Sequence, residues 1–436
     1  MTRFSYAHPN YNRYERMDYG YDSVVTKQYN TDVSDSTLYR YTVEEFENKV
    51  FNKRGRKIRQ CVYDAEGHPY IETIYNASLA DLNHPDSVYG EDCPAYVFVK
   101  EEAEIRNHYE GGNTPGLTTV ILRSYDNKRN IIAYTYLGDT TRTDDYFKAE
   151  IEYATGMGHN LISLPTQIEV RNTNHDLLQK RTASYGTKGQ LENLTQYNTT
   201  DNAEYEFAHD MYGNLMHSVL PANLNGERLG FTYTYDSIIH TYPVRVQNES
   251  LGYYSSAEYD LRFGKPSRTT DINCNEMRYE YDETGRTVKI TAPNELADSL
   301  PYTIRMRYMP HRTHLPVPEN LYSCARTDHY DRSHPDDPIS TVLICDGWGR
   351  LLQTKKDAEI SGLEKSIVTG KVTYDCFGRT IAQYHPVTQD TAYYSDYDTD
   401  YDPLTLTETH YDILDRQTKV KLPNGDSTQT AYGFGI

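Results

Sequence analysis

The sequence contains no apolar run of about 18 residues, the length that a membrane-spanning helix requires. Its first residues, from Met1 to Pro9, have no apolar centre and therefore do not form a signal peptide. We expect no membrane insertion by this segment. Neither end carries a boundary signal, which predicts an internal piece of a longer protein.

Cysteine is scarce and tryptophan is almost absent. Trp348 is the single tryptophan, and six cysteines are scattered without a C-x-x-C pair: Cys61, Cys93, Cys274, Cys324, Cys345 and Cys376. Six thiols are too few for a disulfide scaffold in a chain of 436 residues. We expect them to be small buried side chains, with at most one incidental bridge.

Motifs for catalysis and cofactor binding are missing. The sequence has no G-x-S-x-G, no G-x-G-x-x-G, no glycine-rich phosphate loop and no H-E-x-x-H. The histidines around Cys324 lack the close pairs that zinc requires: His311, His314, His329 and His334. An acidic loop has Tyr401 and Thr407 where a calcium loop requires Gly and Glu; its aspartates are Asp396, Asp398, Asp400 and Asp402. We predict no catalytic residue, no cofactor and no metal site.

Positive charge is in deficit. The chain has 44 Lys and Arg against 63 Asp and Glu, a net charge of −19. Phosphate binding requires clustered cations, so nucleic acid is excluded as a partner. The acidity indicates solubility or, alternatively, attraction or repulsion of a charged cargo.

Tyrosine is what the sequence has in excess, with 43 residues against 10 phenylalanines. Tyrosine has a high strand propensity, and its ring is amphipathic. Apolar residues make up only 37% of the chain, counting the tyrosines, so a thin curved sheet is favoured over a thick dry core.

The segment 278–290 shows how the tyrosines are arranged. Before a turn, Tyr279 and Tyr281 alternate with charged residues, and after it Val288 and Ile290 alternate with polar residues. A period of two places the apolar side chains on one face of a sheet. The intervening turn has Asp at its first position and Gly at its fourth, which predicts a tight β-hairpin.

This hairpin unit recurs along the chain. The best copies share an Asp and a Gly three residues later, in several cases with Tyr before and Arg after: Tyr63, Asp64 and Gly67; Asp210 and Gly213; Tyr281, Asp282, Gly285 and Arg286; Asp346, Gly349 and Arg350; Tyr374, Asp375, Gly378 and Arg379. Between residues 186 and 282 the turns recur about every 24 residues, which is typical of a repeat architecture.

Four copies place an arginine four residues after the aspartate: Asp282 and Arg286, Asp346 and Arg350, Asp375 and Arg379, and Asp412 and Arg416. A ladder of such pairs could bind a charged ligand. We favour a structural interpretation, in which Asp caps the turn and Arg pairs with it or with a neighbouring unit.

The spaced series resembles the YD repeat of the RHS family, whose pattern is Tyr-Asp, two variable residues and Gly-Arg. The turns at 281–286 and 374–379 match these positions, and 344–357 is similar to a segment of the B-component and SpvB-like proteins of insecticidal toxin complexes. The resemblance covers roughly residues 50–436. It implies an all-β fold, an antiparallel YD-hairpin strip that curls into part of a spiral shell.

The resemblance also implies a structural, non-catalytic role in encapsulating a polypeptide. The expected partners are a toxin cargo, C-terminal or separate, and other shell segments, and the expected location is secreted or at the cell surface. The alternative is a cell-surface adhesin or glycan-binding repeat protein, because tyrosine-rich sheets can stack on sugar rings. A third class, a carbohydrate-active enzyme, would require paired carboxylates in a groove.

The regularity of the repeats divides the chain into four regions: an N-terminal β-rich region with irregular repeats (1–118), a YD-repeat strip (119–292), a proline-rich interruption (293–340) and C-terminal YD repeats (341–436). We expect the interruption to cross over an edge of the strip or fill one end. Locally, Thr119–Ser124 and Ile131–Leu137 form a predicted hairpin. A short helix is predicted around Tyr146–Tyr153, and Thr42–Glu45 fits helix or strand equally.

Overall fold

The computed structural model describes residues 1–35, 37–81, 97–142, 144–156, 158, 161–198, 201–309, 322–390 and 406–434. Antiparallel β-structure accounts for 59% of the chain and helix for 2%, so the predicted all-β strip of hairpins is confirmed. His311, His314, Cys93 and the acidic loop 396–402 lie outside the described residues.

The chain forms two compact units, Met1–Leu229 with Ala431–Ile436, and Gly230–Thr430. The four sequence regions follow repeat regularity instead and remain a prediction.

In the first unit each strand pairs antiparallel with the next along the chain. Short turns join most strands, and a 3₁₀ turn, Phe51–Lys53, precedes β4. The strands are β1 (Thr2–Asn12), β2 (Met17–Tyr29), β3 (Leu38–Glu47), β4 (Arg56–Asp64), β5 (Pro69–Asp81), β6 (Val97–His108), β7 (Leu117–Tyr125), β8 (Ile131–Asp139), β9 (Phe147–Tyr153), β10 (Pro165–Asn172), β11 (Leu177–Tyr185), β12 (Leu191–Tyr197), β13 (Ala203–His209) and β14 (Leu215–Val219).

The second unit contains a long ladder and a small separate sheet. The ladder comprises β15 (Gly230–Tyr235), β16 (Pro243–Asn248), β17 (Tyr254–Asp260), β18 (Lys265–Thr270), β19 (Glu276–Tyr281), β20 (Thr287–Thr291), β21 (Ile304–Met309), β22 (Ser323–His329), β23 (Ile339–Cys345), β24 (Leu351–Ile360), β25 (Leu363–Gly370) and β28 (Val387–Gln389). The small sheet comprises β26 (Val372–Tyr374), β27 (Thr380–Tyr384), β29 (Leu406–Tyr411), β30 (Gln417–Lys421) and β31 (Ser427–Gln429). One short helix, α1 (Pro293–Ala297), lies between β20 and β21.

The predicted hairpin at residues 119–137 is present as β7 and β8. The predicted helix around Tyr146–Tyr153 is wrong, because this segment is β9. Its residues Phe147, Ala149 and Ile151 alternate with charged residues, and β8 and β10 pair with it on either side. Thr42–Glu45, which fitted either state, lies inside β3.

The expectation that the proline-rich interruption leaves the ladder is wrong for its described part. Both β21 and β22 lie within it, and they pair in sequence between β20 and β23. The described prolines lie outside the strands, with Pro293 at the first turn of α1 and Pro301, Pro335 and Pro338 in connections. A proline placed there removes no ladder hydrogen bond.

The cysteines differ from the prediction in one case. Cys61 is buried and Cys324, Cys345 and Cys376 are half-buried, but Cys274 is exposed in a turn. All five described thiols are free, so no bridge forms among them.

Candidate functional site: the aspartate turns

The turn from Asp282 to Arg286 shows how the sequence builds a hairpin tip. The Oδ1 atom of Asp282 accepts the backbone N–H groups of Thr284 and Arg286, each at 2.9 Å. Its Oδ2 atom accepts Nε of Arg286 at 2.7 Å. Gly285 adopts φ +81°, and its N–H donates to the Asp282 carbonyl at 3.0 Å. One carboxylate therefore satisfies the donors of the loop, and glycine supplies the left-handed residue.

These hydrogen bonds set the ionisation of the aspartate. Desolvation raises the pKa of Asp282, but the bonds from Arg286 and Thr284 outweigh it and hold the pKa well below its usual range. The turn aspartates Asp64, Asp210, Asp236 and Asp346 are shifted in the same direction. The turns therefore keep their charge at neutral pH.

The same arrangement recurs with different partners at the fifth position. Arg350, Arg379 and Arg416 each donate Nε at 2.7 Å to Oδ2 of the aspartate four residues earlier. In two other predicted turns a different side chain donates to the aspartate. His68 donates to Asp64 at 3.0 Å, and Asn214 donates to Asp210 at 2.9 Å. Any side chain that can donate back to the carboxylate fits this position.

Pairing with a neighbouring unit, the other arrangement expected for the arginine, occurs at Arg379. Besides its bond to Asp375, it reaches Asp415 in the next turn, with Nη1 2.8 Å from Oδ1. The fifth-position residue can thus connect successive tips.

Sequence reasoning missed three further turns, which begin at Asn172, Asn223 and Asp271. Each accepts backbone N–H groups two and four residues later. Two of them have no glycine at the left-handed position. His175 and Cys274 adopt the left-handed conformation there, at φ +64° and +65°. These turns could have been found in the sequence as an Asn or Asp followed four residues later by a polar side chain.

The predicted turns do not all lie at one edge. In an antiparallel ladder, strands an odd number apart run in opposite directions, so their C-terminal ends lie at opposite edges. In the first unit this places the turn of Asp64, after β4, opposite the turn of Asp210, after β13. In the second unit Asp282, after β19, and Asp346, after β23, share an edge. Asp375 and Asp412 share an edge of the small sheet.

In several turns the tyrosine before the aspartate fastens the turn to the preceding hairpin. The hydroxyl of Tyr281 donates to the carbonyl of Pro266 on β18 at 2.6 Å. Other described tyrosines make the same kind of bond to a neighbouring carbonyl: Tyr153, Tyr259, Tyr308, Tyr374 and Tyr411. Phenylalanine cannot make this bond, which explains the excess of tyrosine at these positions.

Replacing Tyr281 by phenylalanine is expected to lower the free energy of unfolding by about 1 kcal/mol, because the Pro266 carbonyl loses its donor while the ring is kept. Urea denaturation measures the loss, with Tyr253→Phe as the control because Tyr253 is 53% exposed. Equal midpoints for the two variants would contradict the role of the hydroxyl.

Alanine at Gly285 is expected to cost about 2 kcal/mol, through left-handed strain and a clash, since the added Cβ would lie 2.8 Å from Phe263 Cδ1. Two controls separate the causes. At Gly349 φ is +77° and no atom lies within 4 Å of the Cβ that Gly349→Ala would add, so only backbone strain of about 1 kcal/mol is expected. Gly347→Ala has neither strain nor contact and should be close to neutral. Thermal unfolding of the three variants should follow that order, and a large loss for Gly347→Ala would refute this account.

A polar network crosses one sheet face of the first unit. Glu72, on β5, accepts Arg59 Nε at 2.5 Å, Asn107 Nδ2 at 2.9 Å and the Tyr109 hydroxyl at 3.0 Å. Although burial raises the pKa of Glu72, these donors bring the net pKa below its usual value. Burial and the bond to Glu72 raise the pKa of Tyr109 to about 12. The network ties β4, β5 and β6 together beyond their backbone bonds.

A second network in the second unit centres on Asp328, which is fully buried. Its Oδ2 atom contacts Arg305 at 3.0 Å and Arg307 at 2.7 Å, and its Oδ1 atom contacts Arg326 at 2.6 Å and the Ser340 hydroxyl at 2.8 Å. Burial raises the pKa of Asp328, but these donors outweigh it and bring the pKa to about 2. Three buried apolar residues lie on nearby strands of the same ladder: Val342 and Ile344 on β23, and Val368 on β25.

Neither network has the composition of a metal centre. Across the part of the chain that the structure describes, no three His, Cys, Asp or Glu side chains are grouped to hold a metal ion. Within the same residues no helix has the length and apolarity to cross a membrane. A groove of about 970 Å³ on the first unit is lined by charged residues, among them Glu47, which pairs there with Lys53 and Arg56.

Solved structures match this chain over nearly its whole length. A crystal structure of TcdB2-TccC3 superposes on 99% of this chain with a TM-score of 0.70 and 14% sequence identity. A Photorhabdus luminescens Tc holotoxin pore, carrying a mutation in TccC3, superposes on 99% with a TM-score of 0.73 and 13% identity. This chain has the fold of these Tc toxin chains. The resemblance to toxin-complex proteins is thereby confirmed at the level of fold.

The shared fold covers only part of those proteins. This chain spans 30% of the matched TcdB2-TccC3 chain and 32% of the matched holotoxin chain. A TcdB2-TccC3 structure without its hypervariable C-terminal region matches equally widely, with a TM-score of 0.69 and 12% identity over 99% of this chain and 32% of that one. A family model described as a domain of unknown function, DUF6443, matches residues 322–433. A search of curated proteins gives no match.

Proposed function

We propose that this chain forms part of a non-catalytic wall that encloses a polypeptide, with a toxin as the cargo. The observation that carries the proposal is the fold shared with TcdB2-TccC3 over 99% of the chain. The mechanism is steric. Interior strands that pair on both sides leave no gap between them through which another chain could enter.

The hairpin tips support this role physically. Most turns close on their own Asp or Asn, and tyrosine hydroxyls tie tips to the preceding hairpin. A wall made this way does not require a thick core, because its stability comes from repeated local contacts between neighbours. The cargo is C-terminal to the strip or a separate chain, other wall segments complete the enclosure, and the assembly is secreted or held at the cell surface.

Trypsin protection of the full-length protein that contains this chain tests the proposal. A polypeptide outside the strip should survive in the wild type and be digested faster in Asp328→Ala, which loosens the ladder. Asp336→Ala, at an exposed position, should behave as the wild type. Electron microscopy should show a hollow particle.

Rapid digestion of that polypeptide in the wild type, or a solid particle, would refute enclosure. Tight binding of soluble glycans to this chain would favour the adhesin alternative instead. A glycan array measures that binding directly.

A further inference from the structure

The residue immediately after the turn glycine contacts a tyrosine on a later strand. In the second unit the guanidinium carbon of Arg286 lies 4.5 Å from the ring centre of Tyr308, while its Nε donates to Asp282. The Tyr308 hydroxyl donates to the carbonyl of Thr287, the residue after Arg286, at 2.9 Å. The tyrosine is thus held at its face by the cation and at its tip by the carbonyl.

The same double contact occurs at four other junctions of this unit. Three of these pairs join the residue after the turn glycine to a tyrosine: Lys265 and Tyr281 at 5.5 Å, Arg350 and Tyr374 at 4.3 Å, and Arg379 and Tyr411 at 5.0 Å. In the fourth, Tyr242, the last residue of the longer Asp236 turn, stacks on Tyr259 with ring centres 4.9 Å apart. In each case the tyrosine hydroxyl donates to the residue that follows: Pro266, Leu351, Thr380 and Pro243.

The contact is independent of the length of the connecting chain. The paired residues are 16 positions apart at Lys265 and Tyr281, but 32 apart at Arg379 and Tyr411. A contact that followed passively from one hairpin length would not be kept over this range. The side chains therefore select the geometry of the junction.

The junction at Arg350 is different, because no backbone ladder crosses it. Tyr374 belongs to β26 in the small sheet, whereas Leu351 belongs to β24 in the long ladder, and the two sheets share no described strand pairing. Arg350 also lies beside the next turn, where a Cβ on Gly378 would be 3.5 Å from its Nη1.

We propose that Arg350 and Tyr374 form a side-chain joint that carries the strip across the break between its two sheets. At the other junctions of the long ladder the same pair reinforces backbone bonds. Here it acts where no described strand pairing joins the sheets, which the chain itself connects through Lys371 and through His385 and Pro386. Arg350 is then a positioning residue, which acts on the small sheet through Tyr374.

Hydrogen exchange by mass spectrometry on this chain tests the joint. In Arg350→Ala we expect the amides of β26, β27 and β29 to exchange about ten-fold faster, the change that loss of a partly desolvated cation–π contact allows, with β15–β20 unchanged. Arg286→Ala is the matched control. It loses the same turn bond and the same ring contact, but β20 still pairs with β21, so exchange should change less than about three-fold.

Two conservative variants keep the test decisive if Arg350→Ala folds poorly. Arg350→Lys should restore most of the protection, since Lys265 fills the equivalent position beside Tyr281. Tyr374→Phe keeps the ring and loses the bond to Leu351, so its exchange should be intermediate. Equal effects of Arg350→Ala and Arg286→Ala on their following strands, or no rescue by lysine, would overturn the joint.

Discussion

Replacing Asp328 by alanine is expected to destabilise the second unit by about 3 kcal/mol, because three arginines would lose the buried carboxylate that they share. The side chains of Arg305 and Arg307 are 41% and 49% exposed, so water relieves part of the loss. Arg326 is less exposed and shares Ser340 with the aspartate, so its charge is the hardest to solvate.

The ionisation of Asp328 also predicts that the second unit loses stability at acid pH. Its pKa in the folded protein is about 2, below the usual value near 3.8. A depressed pKa means that the stabilisation is complete above the unfolded-state pKa and is lost as pH falls from about 4 towards 2. The contribution lost is about 2 kcal/mol.

Urea midpoints of the wild type, Asp328→Asn and Asp328→Ala at pH 7, 4 and 2.5 measure both effects. Asp328→Asn keeps the size and some acceptors but cannot ionise, so the gap between it and the wild type should narrow at pH 2.5. Asp336→Ala is the control at an exposed position. A gap that persists unchanged at the lowest pH would show that the arginine cluster does not depend on this charge.

Replacing Glu72 by alanine should destabilise the first unit by about 3 kcal/mol, because Arg59, Asn107 and Tyr109 would all lose a buried acceptor. Glu72→Gln should cost less, since the amide oxygen can still accept while the charge partner of Arg59 disappears. The loss should be concentrated in β4–β6.

Hydrogen exchange of β4–β6 locates this loss, and thermal unfolding measures its size. Glu102→Ala, an exposed glutamate on β6, is the matched control. If exchange rises evenly over the whole unit, or if both glutamate sites behave alike, the network does not tie these strands together.

The hairpin strip could be predicted from sequence because its signals are local. A turn such as Asp282 to Arg286 needs only five consecutive residues, and the bonds of its aspartate are made within them. The alternation around Tyr279 and Tyr281 then fixes the faces of the strands. Where the helix was predicted instead of β9, the apolar residues also fit a 3.6-residue period, and pairing with β8 and β10 decided the outcome.

The two polar networks could not be predicted in this way. Glu72 meets Asn107 and Tyr109, which lie 35 and 37 positions away, only because β5 and β6 pair in one particular register. Asp328 likewise meets Arg305 across the β21–β22 pairing, beyond a segment that looked like an interruption. A single sequence gives the residue types at such positions but not which strands face each other.

The carboxylate turn accepts many residue types at its two middle positions. Glu-Thr, Gly-Trp, Cys-Phe and Ile-Leu all occupy this place, and Trp348 stands 88% exposed there. Asp236 even holds two extra residues by accepting five backbone N–H groups. The tips are accordingly the places where sequence can drift, or a dye or affinity tag be grafted, while the strands beneath keep their order.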